Sequence, residues 1–236
     1  KLAEFQHGVL TKWDIIDVFK VPIGAMRTHN DLITMAVAHC EYLQSQEIKY
    51  AETRFAPAYH VSTTSTGLTS LHEVIEKTLE GFRIGKSWTG VTVKPIICIN
   101  REIDREFIAG RSPVNSIDVV KAAIQFAEKG VVGIDLACYE PQTAPQDFLT
   151  AYRLTFNTPL KRTIHAGEMM GSVEANLRNI RYAVDNLRID GLSHAIRLHT
   201  DLKLAEKVAR YNLRIESNPR SNLHCGFIGD VRELGL

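Results

Sequence analysis

The residues with the clearest chemical capacity lie in the run Thr163-Ile164-His165-Ala166-Gly167-Glu168. A short apolar strand there would deliver His165 to a rim. Ala166 and Gly167 are small enough for a ligand to approach the turn, and Glu168 follows before a helix. An imidazole can ligate Zn²⁺ while a nearby carboxylate moves protons. The plainer alternative, a rim histidine paired with a carboxylate, stays open on residue types alone. His194 ends the next strand-like segment and would face the same mouth, so two histidines with Glu168 between them make the plain reading harder to sustain. His7, His29, His39, His60, His72, His199 and His224 lack comparable context, and most read as surface or capping residues. Asn218-Pro219-Arg220-Ser221-Asn222 reads as a rim turn. Arg220 within it is either a phosphate contact or a solvated charge.

These residues need a scaffold, and the sequence alternates strand-like with helix-like segments throughout. Strands are expected at Ile48 to Phe55, Val91 to Ile99, Val131 to Ala137, Leu160 to Ile164, Gly191 to Ser193 and Leu213 to Glu216. Between them, apolar residues recur at helical spacing. The helices expected are Asn30 to Gln46 with Asn30 as cap, Leu68 to Gly85, Asn115 to Glu128 stopped by Gly130, and Gln146 to Phe156. A further helix follows Ser172 as cap, and another runs from Thr200 as cap through Arg210. The stretch from Ser62 to Gly67, rich in Ser and Thr, reads as a loop inside one domain.

Alternating units imply a parallel sheet with helical crossovers, its strands apolar on both faces. A doubly wound sheet and a (β/α)₈ barrel both satisfy the count. Polar groups collect after the strands: Glu52 and Arg54, Arg101 and Glu102, Asp135 with Tyr139 and Glu140, His165 with Glu168, His194, and Glu216 to Asn222. In a barrel they would converge on one face; in an open sheet they would spread along an edge. Convergence favours the barrel.

The bulk numbers exclude other classes. Of 236 residues, 44% are hydrophobic and 23% charged, with a net charge of +1, the profile of a globular protein without electrostatic bias towards nucleic acid or a membrane surface. No apolar run is long enough to span a bilayer, and no signal-peptide pattern opens the sequence. The four cysteines, at 40, 98, 138 and 225, form neither a CxxC knuckle nor a disulfide framework, so a reduced cytoplasmic setting is expected.

Several of these motifs, in order, resemble the adenosine deaminase family. Tyr50-Ala51-Glu52-Thr53-Arg54-Phe55-Ala56-Pro57 is similar to its second barrel strand and Gly133-Ile134-Asp135-Leu136-Ala137 to its fourth. Thr163 to Glu168 resembles the His-Ala-Gly-Glu motif of its fifth, His194 with Arg197 and Leu198 its sixth, and Glu216 with Pro219, Ser221 and Asn222 its seventh. The resemblance implies a (β/α)₈ TIM-type barrel with one catalytic Zn²⁺. It makes His165 a zinc ligand, Glu168 the proton donor to purine N1, and His194 the group that positions and polarises a zinc-bound hydroxide for attack on C6. It also implies a substrate-binding turn at Gly167 and Cys138, and a small-molecule purine as partner, with no nucleic acid or membrane. Deamination of adenosine is the leading expectation. Adenine, AMP or another adenine derivative is the near alternative, and a catalytically dead nucleoside-binding relative is the distant one.

Four departures stand out. Cys138 replaces a glycine whose backbone N–H contacts the purine in the family. Ser193 and Ala195 replace glycines beside His194, and Asn218-Pro219 replaces Cys-Pro. The family's His-x-His pair and Asp-Asp motif, on its first and eighth strands, have no counterpart: no two of the nine histidines are separated by one residue. The expectation is a single partial barrel domain over residues 1–236, lacking the first and eighth strands. The Zn²⁺ site would then be complete only in a longer protein, and the 236-residue chain alone would be inactive.

Overall fold

The computed structural model describes residues 14–62, 67–168 and 171–235. His7 and most of the Ser/Thr-rich loop, at 63–66, lie outside them. Six parallel strands form the centre: β1 Tyr50–Phe55, β2 Thr92–Asn100, β3 Gly133–Ala137, β4 Lys161–Ala166, β5 Gly191–His194 and β6 Arg214–Glu216. Each expected strand is present, with its ends displaced by no more than two residues.

The helices are α1 Asp14–Ala25, α2 His29–Ser45, α3 Leu71–Thr89, α4 Ile103–Ile108, α5 Ser116–Gln125, α6 Leu149–Arg153, α7 Val173–Asn186, α8 Leu202–Arg210 and α9 Pro219–His224. Periodicity did not predict α1, α4 or α9. Two caps differ from expectation. Thr28, not Asn30, caps α2, because its hydroxyl accepts from the N–H of Asp31 while the Asp31 carboxylate accepts from the N–H of Thr28. Asp201, not Thr200, caps α8, its carboxylate accepting from the N–H of Leu204. The single helix expected from Gln146 to Phe156 is a 3₁₀ turn over Pro145–Phe148 followed by the short α6. Ser172 caps α7 as expected, and Asn115 caps α5.

α2 and α3 pack closely because α3 presents two glycines. A Cβ added at Gly81 would lie 2.6 Å from Ala36 Cβ, and one at Gly85 would lie 2.6 Å from Cys40 Sγ. Helix packing of this kind covers the outer face of the sheet. Ile97, Ile99, Ile134, Leu136, Ile164 and Leu192 are buried there in one continuous core.

The strand order is sequential, β1 through β6, with every pair parallel. A doubly wound sheet requires a reversal of order at a switch point, and none occurs. Right-handed crossovers without reversal leave the helices on one face and curl the sheet. In a flat sheet the first and sixth strands would be roughly 24 Å apart, five spacings of about 4.8 Å. Here their side chains touch. Arg54 on β1 pairs with Glu216 on β6, and Arg214 Nη1 lies 3.2 Å from Glu52 Oε2. The sheet is thus a curled half-barrel, consistent with a TIM-type barrel lacking two strands.

The inner face differs from expectation. It is polar, not apolar: Arg54, Asp135, Thr163, His165 and Glu216 meet inside the curl. Strand alternation produces this directly, since Ile134 and Leu136 enter the outer core while Asp135 between them turns inward.

Candidate active site

Strand register sets the centre of the site. His165 pairs with Ser193, and Ala166 with His194, so the two histidines leave adjacent strands one step apart. Their ring centroids are 5.2 Å apart. Glu168 Oε1 lies 3.3 Å from His194 Nε2. The structure therefore brings together His165, Glu168 and His194.

Asp135 lies behind His165. Its carboxylate is fully buried and its Oδ2 is 2.8 Å from His165 Nδ1. The contact is a close ion pair rather than an aligned hydrogen bond. Arg54 Nε at 3.1 Å and Thr163 Oγ1 at 2.9 Å also donate to Asp135. Burial alone would raise the Asp135 carboxyl, but His165, Arg54 and Thr163 outweigh it and hold the group at about 2. Burial works to lower the His165 imidazole, and the Asp135 charge overrides it, so the net shift is upward. A carboxylate on one ring nitrogen turns the other towards the mouth, the arrangement that orients metal-binding histidines.

The turn after β4 is fastened from below. The N–H groups of Gly167 and Glu168 each donate to the Glu140 carboxylate at 2.9 Å, and Asn179 Nδ2 donates to it at 2.8 Å. Gly167 has φ of +72°, and a Cβ there would fall 2.6 Å from Ile180 Cδ1. Its place in the site is thus a left-handed turn packed on α7, with its N–H committed to Glu140. Arg101, buried, donates to the carbonyl of His165 at 2.6 Å and to that of Thr143 at 2.9 Å.

Two groups acquire unusual protonation. Burial, followed by the nearby Glu140 charge against an opposing contribution from His165, raises Glu168 to about 7. Burial and the His165 charge lower His194 to about 4. At neutral pH the histidine is neutral and the glutamic acid sits near half-protonation. Asn222, completely buried, accepts from His194 Nδ1 at 2.7 Å, which leaves Nε2 as the acceptor facing Glu168. His194, Ala195 and Arg197 all have positive φ, at 67°, 49° and 70°. Such backbone clusters at functional sites.

Cys138 directly follows β3. It holds a left-handed φ of 79° without being glycine. It lines a cavity of about 540 Å³ at the C-terminal ends of β1 to β3, with its Sγ 3.2 Å from the Tyr59 hydroxyl. Burial pushes its thiol up to about 12. Arg220 is exposed on α9.

The functional residues that sequence reasoning passed over are Asp135, Glu140 and Asn222 in their supporting roles. Asp135 had a visible signal, a lone carboxylate inside an apolar strand, which must be paired if buried. Among the described residues no group of three or more His, Cys, Asp and Glu could hold a metal ion. The described residues do not complete a metal site.

Comparison with known proteins gives a consistent picture. A family model described as adenosine deaminase matches residues 5–236. The adenosine deaminase of Mycolicibacterium gilvum is 29% identical over 251 residues, covering 99% of this chain and 64% of its own. That of Mycobacterium tuberculosis H37Rv is 29% identical over 231 residues, covering 92% and 59%. The chain thus spans less than two thirds of the length of these relatives. Among solved structures, an adenine deaminase from Arthrobacter aurescens superposes with TM-score 0.76 at 18% identity, covering 95% of this chain and 63% of its own. The Arabidopsis N6-mAMP deaminase gives 0.76 at 20%, covering 97% and 65%. An amidohydrolase from Burkholderia ambifaria with bound Zn gives 0.68 at 21%, covering 84% and 50%. These likenesses show the fold.

Proposed function

The chain belongs to the adenosine deaminase family, and on that premise we propose that it carries the proton-transfer half of a hydrolytic 6-aminopurine deaminase, with adenosine as substrate. Adenosine and water would give inosine and ammonia. The observation that carries the reading is the pair formed by Glu168, raised to about 7, and neutral His194 at 3.3 Å. A carboxylic acid that keeps its proton near neutral pH can give it to purine N1, making C6 electrophilic. His194 Nε2, its lone pair free because Nδ1 donates to Asn222, accepts a hydrogen bond from the attacking water. Before substrate arrives, protonated Glu168 donates to that same nitrogen.

Zn²⁺, when bound, would lower the pKa of a water from 15.7 towards about 7. His165 would hold it, oriented by Asp135. Among the described residues no group of three or more His, Cys, Asp and Glu stands ready to complete the site. Relatives named adenine deaminase and N6-mAMP deaminase share the fold, which keeps adenine and AMP derivatives as rival substrates. The reading includes a reducing, cytoplasmic setting, supported by four free cysteines. No helix among the described residues is long and apolar enough to cross a membrane.

The test is an ammonia-release assay, on a longer, zinc-loaded protein that supplies the remaining metal ligands, with adenosine, adenine, AMP, N6-methyl-AMP and cytidine. Adenosine is expected to turn over fastest and cytidine not at all. Faster turnover of cytidine than of every adenine compound would overturn the reading.

A further inference from the structure

The backbone that carries His194 is strained at three positions. His194, Ala195 and Arg197 all hold positive φ, and none of them is glycine. Such a conformation persists only where the surrounding structure over-determines it. Two of the fastenings come from β4. The N–H of Ala195 donates to the carbonyl of Ala166, and that of Ile196 to the carbonyl of Gly167, each at 3.1 Å. These bonds join the turn of His194 to the turn that carries Glu168.

Other fastenings come from the segment that follows α9. Glu233 lies in a 3₁₀ turn, Val231–Leu234. Its Oε2 accepts from Arg197 Nη2, and its Oε1 accepts from the N–H groups of Gly229 at 2.8 Å and Asp230 at 3.1 Å. Both side chains of the ion pair are partly buried, so solvent and salt screen it less than a surface pair. Ile196, Ile228 and Leu234 form a small buried cluster of their own beside it. A Cβ at Gly235 would overlap the His199 ring, so the end of the segment rests on the same loop. The segment also reaches Asn222, whose backbone carbonyl accepts from the N–H groups of Phe227 at 2.9 Å and Ile228 at 3.3 Å. It therefore grips both the loop after His194 and the residue that accepts from His194 Nδ1.

We propose that the segment from Gly226 to Leu234 is a clamp on the strained turn of His194, with Arg197 and Glu233 as its positioning residues. The ion pair fixes the turn. The turn fixes the His194 ring against Asn222, and the two N–H bonds to β4 fix its place relative to Glu168. The bearing of the clamp on turnover rests on the function proposed above, but the clamp itself is read without turnover.

Amide hydrogen exchange on the 236-residue chain tests it. Glu233→Gln keeps the side chain's shape and an oxygen for the N–H groups of Gly229 and Asp230, but removes the charge that holds Arg197. Arg197→Gln removes the other partner. Each should speed exchange at the Ala195 and Ile196 amides about tenfold, the effect of losing one charge-assisted bond, and leave the amides of β2 and β3 at parent rates. The double variant should be no faster than either single one, because all three lose the same interaction. Arg197→Lys keeps the charge without the planar fork and should fall between parent and Arg197→Gln. The ¹⁵N shifts of the His194 ring should show a second tautomer in Arg197→Gln and the parent tautomer in Arg197→Lys. Parent rates at both amides in the single variants, additive effects in the double variant, or acceleration spread evenly over β2 and β3 overturns the proposal. If a Gln variant does not fold, Arg197→Lys decides alone: selective acceleration at the two amides supports the clamp, and parent rates there overturn it. Selective opening in a protein that deaminates no adenine compound would remove the proposed function and leave the clamp standing.

Discussion

Asn222 accepts a hydrogen bond from His194 Nδ1 at 2.7 Å, and both side chains are buried. The bond places the ring proton on Nδ1 and leaves Nε2 unprotonated towards Glu168, 3.3 Å away. Asn222 is therefore a positioning residue for the group that faces the reacting atoms. Asn222→Ala should strand Nδ1–H without a partner, costing about 1–3 kcal/mol of stability. It should also mix the two imidazole tautomers, which ¹⁵N chemical shifts of His194 report directly. A single unchanged tautomer in the variant would remove this role.

In a longer protein that supplies the remaining zinc ligands, Glu168→Gln should lower turnover by about 10²–10⁴-fold, the usual yield of general acid–base catalysis, while the metal content stays unchanged. His165→Ala should lose metal and activity together, since a catalytic zinc has few protein ligands. Metal analysis beside the ammonia assay separates the two outcomes. Near-normal turnover in Glu168→Gln would remove its assignment as proton donor.

The protonation of Glu168 also makes a stability prediction with a definite sign. The folded protein holds its proton up to about 7, whereas an unfolded Glu releases it near 4.3. Between those values the folded state binds more protons, so stability falls as pH rises. The loss amounts to about 4 kcal/mol at most. His194, lowered to about 4, acts oppositely between 4 and about 6.5. Glu168→Gln should remove the first contribution and leave the second. Urea denaturation from pH 5 to pH 8 should then show the variant gaining on the parent as pH rises.

Cys138 and Ala195 occupy left-handed backbone at φ of 79° and 49°. That conformation costs a non-glycine residue roughly 1–2 kcal/mol, part of which glycine's greater chain entropy offsets. Cys138→Gly and Ala195→Gly should each raise stability by up to about 1 kcal/mol, read as a higher denaturation midpoint. Cys138→Gly should also enlarge the cavity by the volume of the thiol and free the Tyr59 hydroxyl from its contact with Sγ. A lower midpoint in both variants would show that side-chain packing there outweighs backbone strain.

For the 236-residue chain by itself, zinc titration should show no tight stoichiometric binding, because the described residues provide His165 and no set of three ligands. The exposed edges of β1 and β6 should favour association at high concentration. Tight binding with turnover would show that ligands for the metal come from residues not assigned to it above.

Much of the site was legible in the sequence because its signals are local. Alternating apolar runs mark six strands, and the run from Thr163 to Glu168 places an imidazole and a carboxylate at one strand end. Caps were less legible where two capping residues are neighbours. Thr200 and Asp201 both qualify by type, and only backbone geometry decides which reaches the free N–H. Which partner each supporting residue meets was not legible, although Asp135 itself stands out in the sequence as a lone carboxylate in an apolar strand. Asp135 is 30 positions from His165, Asn222 is 28 from His194, and Arg54 is 162 from Glu216. These pairs arise from strand register and from the curl of the sheet, which depend on how helices pack across the whole chain. Protonation follows the same rule: the residue type offers a range, and the depth of burial with its neighbouring charges selects about 7 for Glu168 and about 4 for His194.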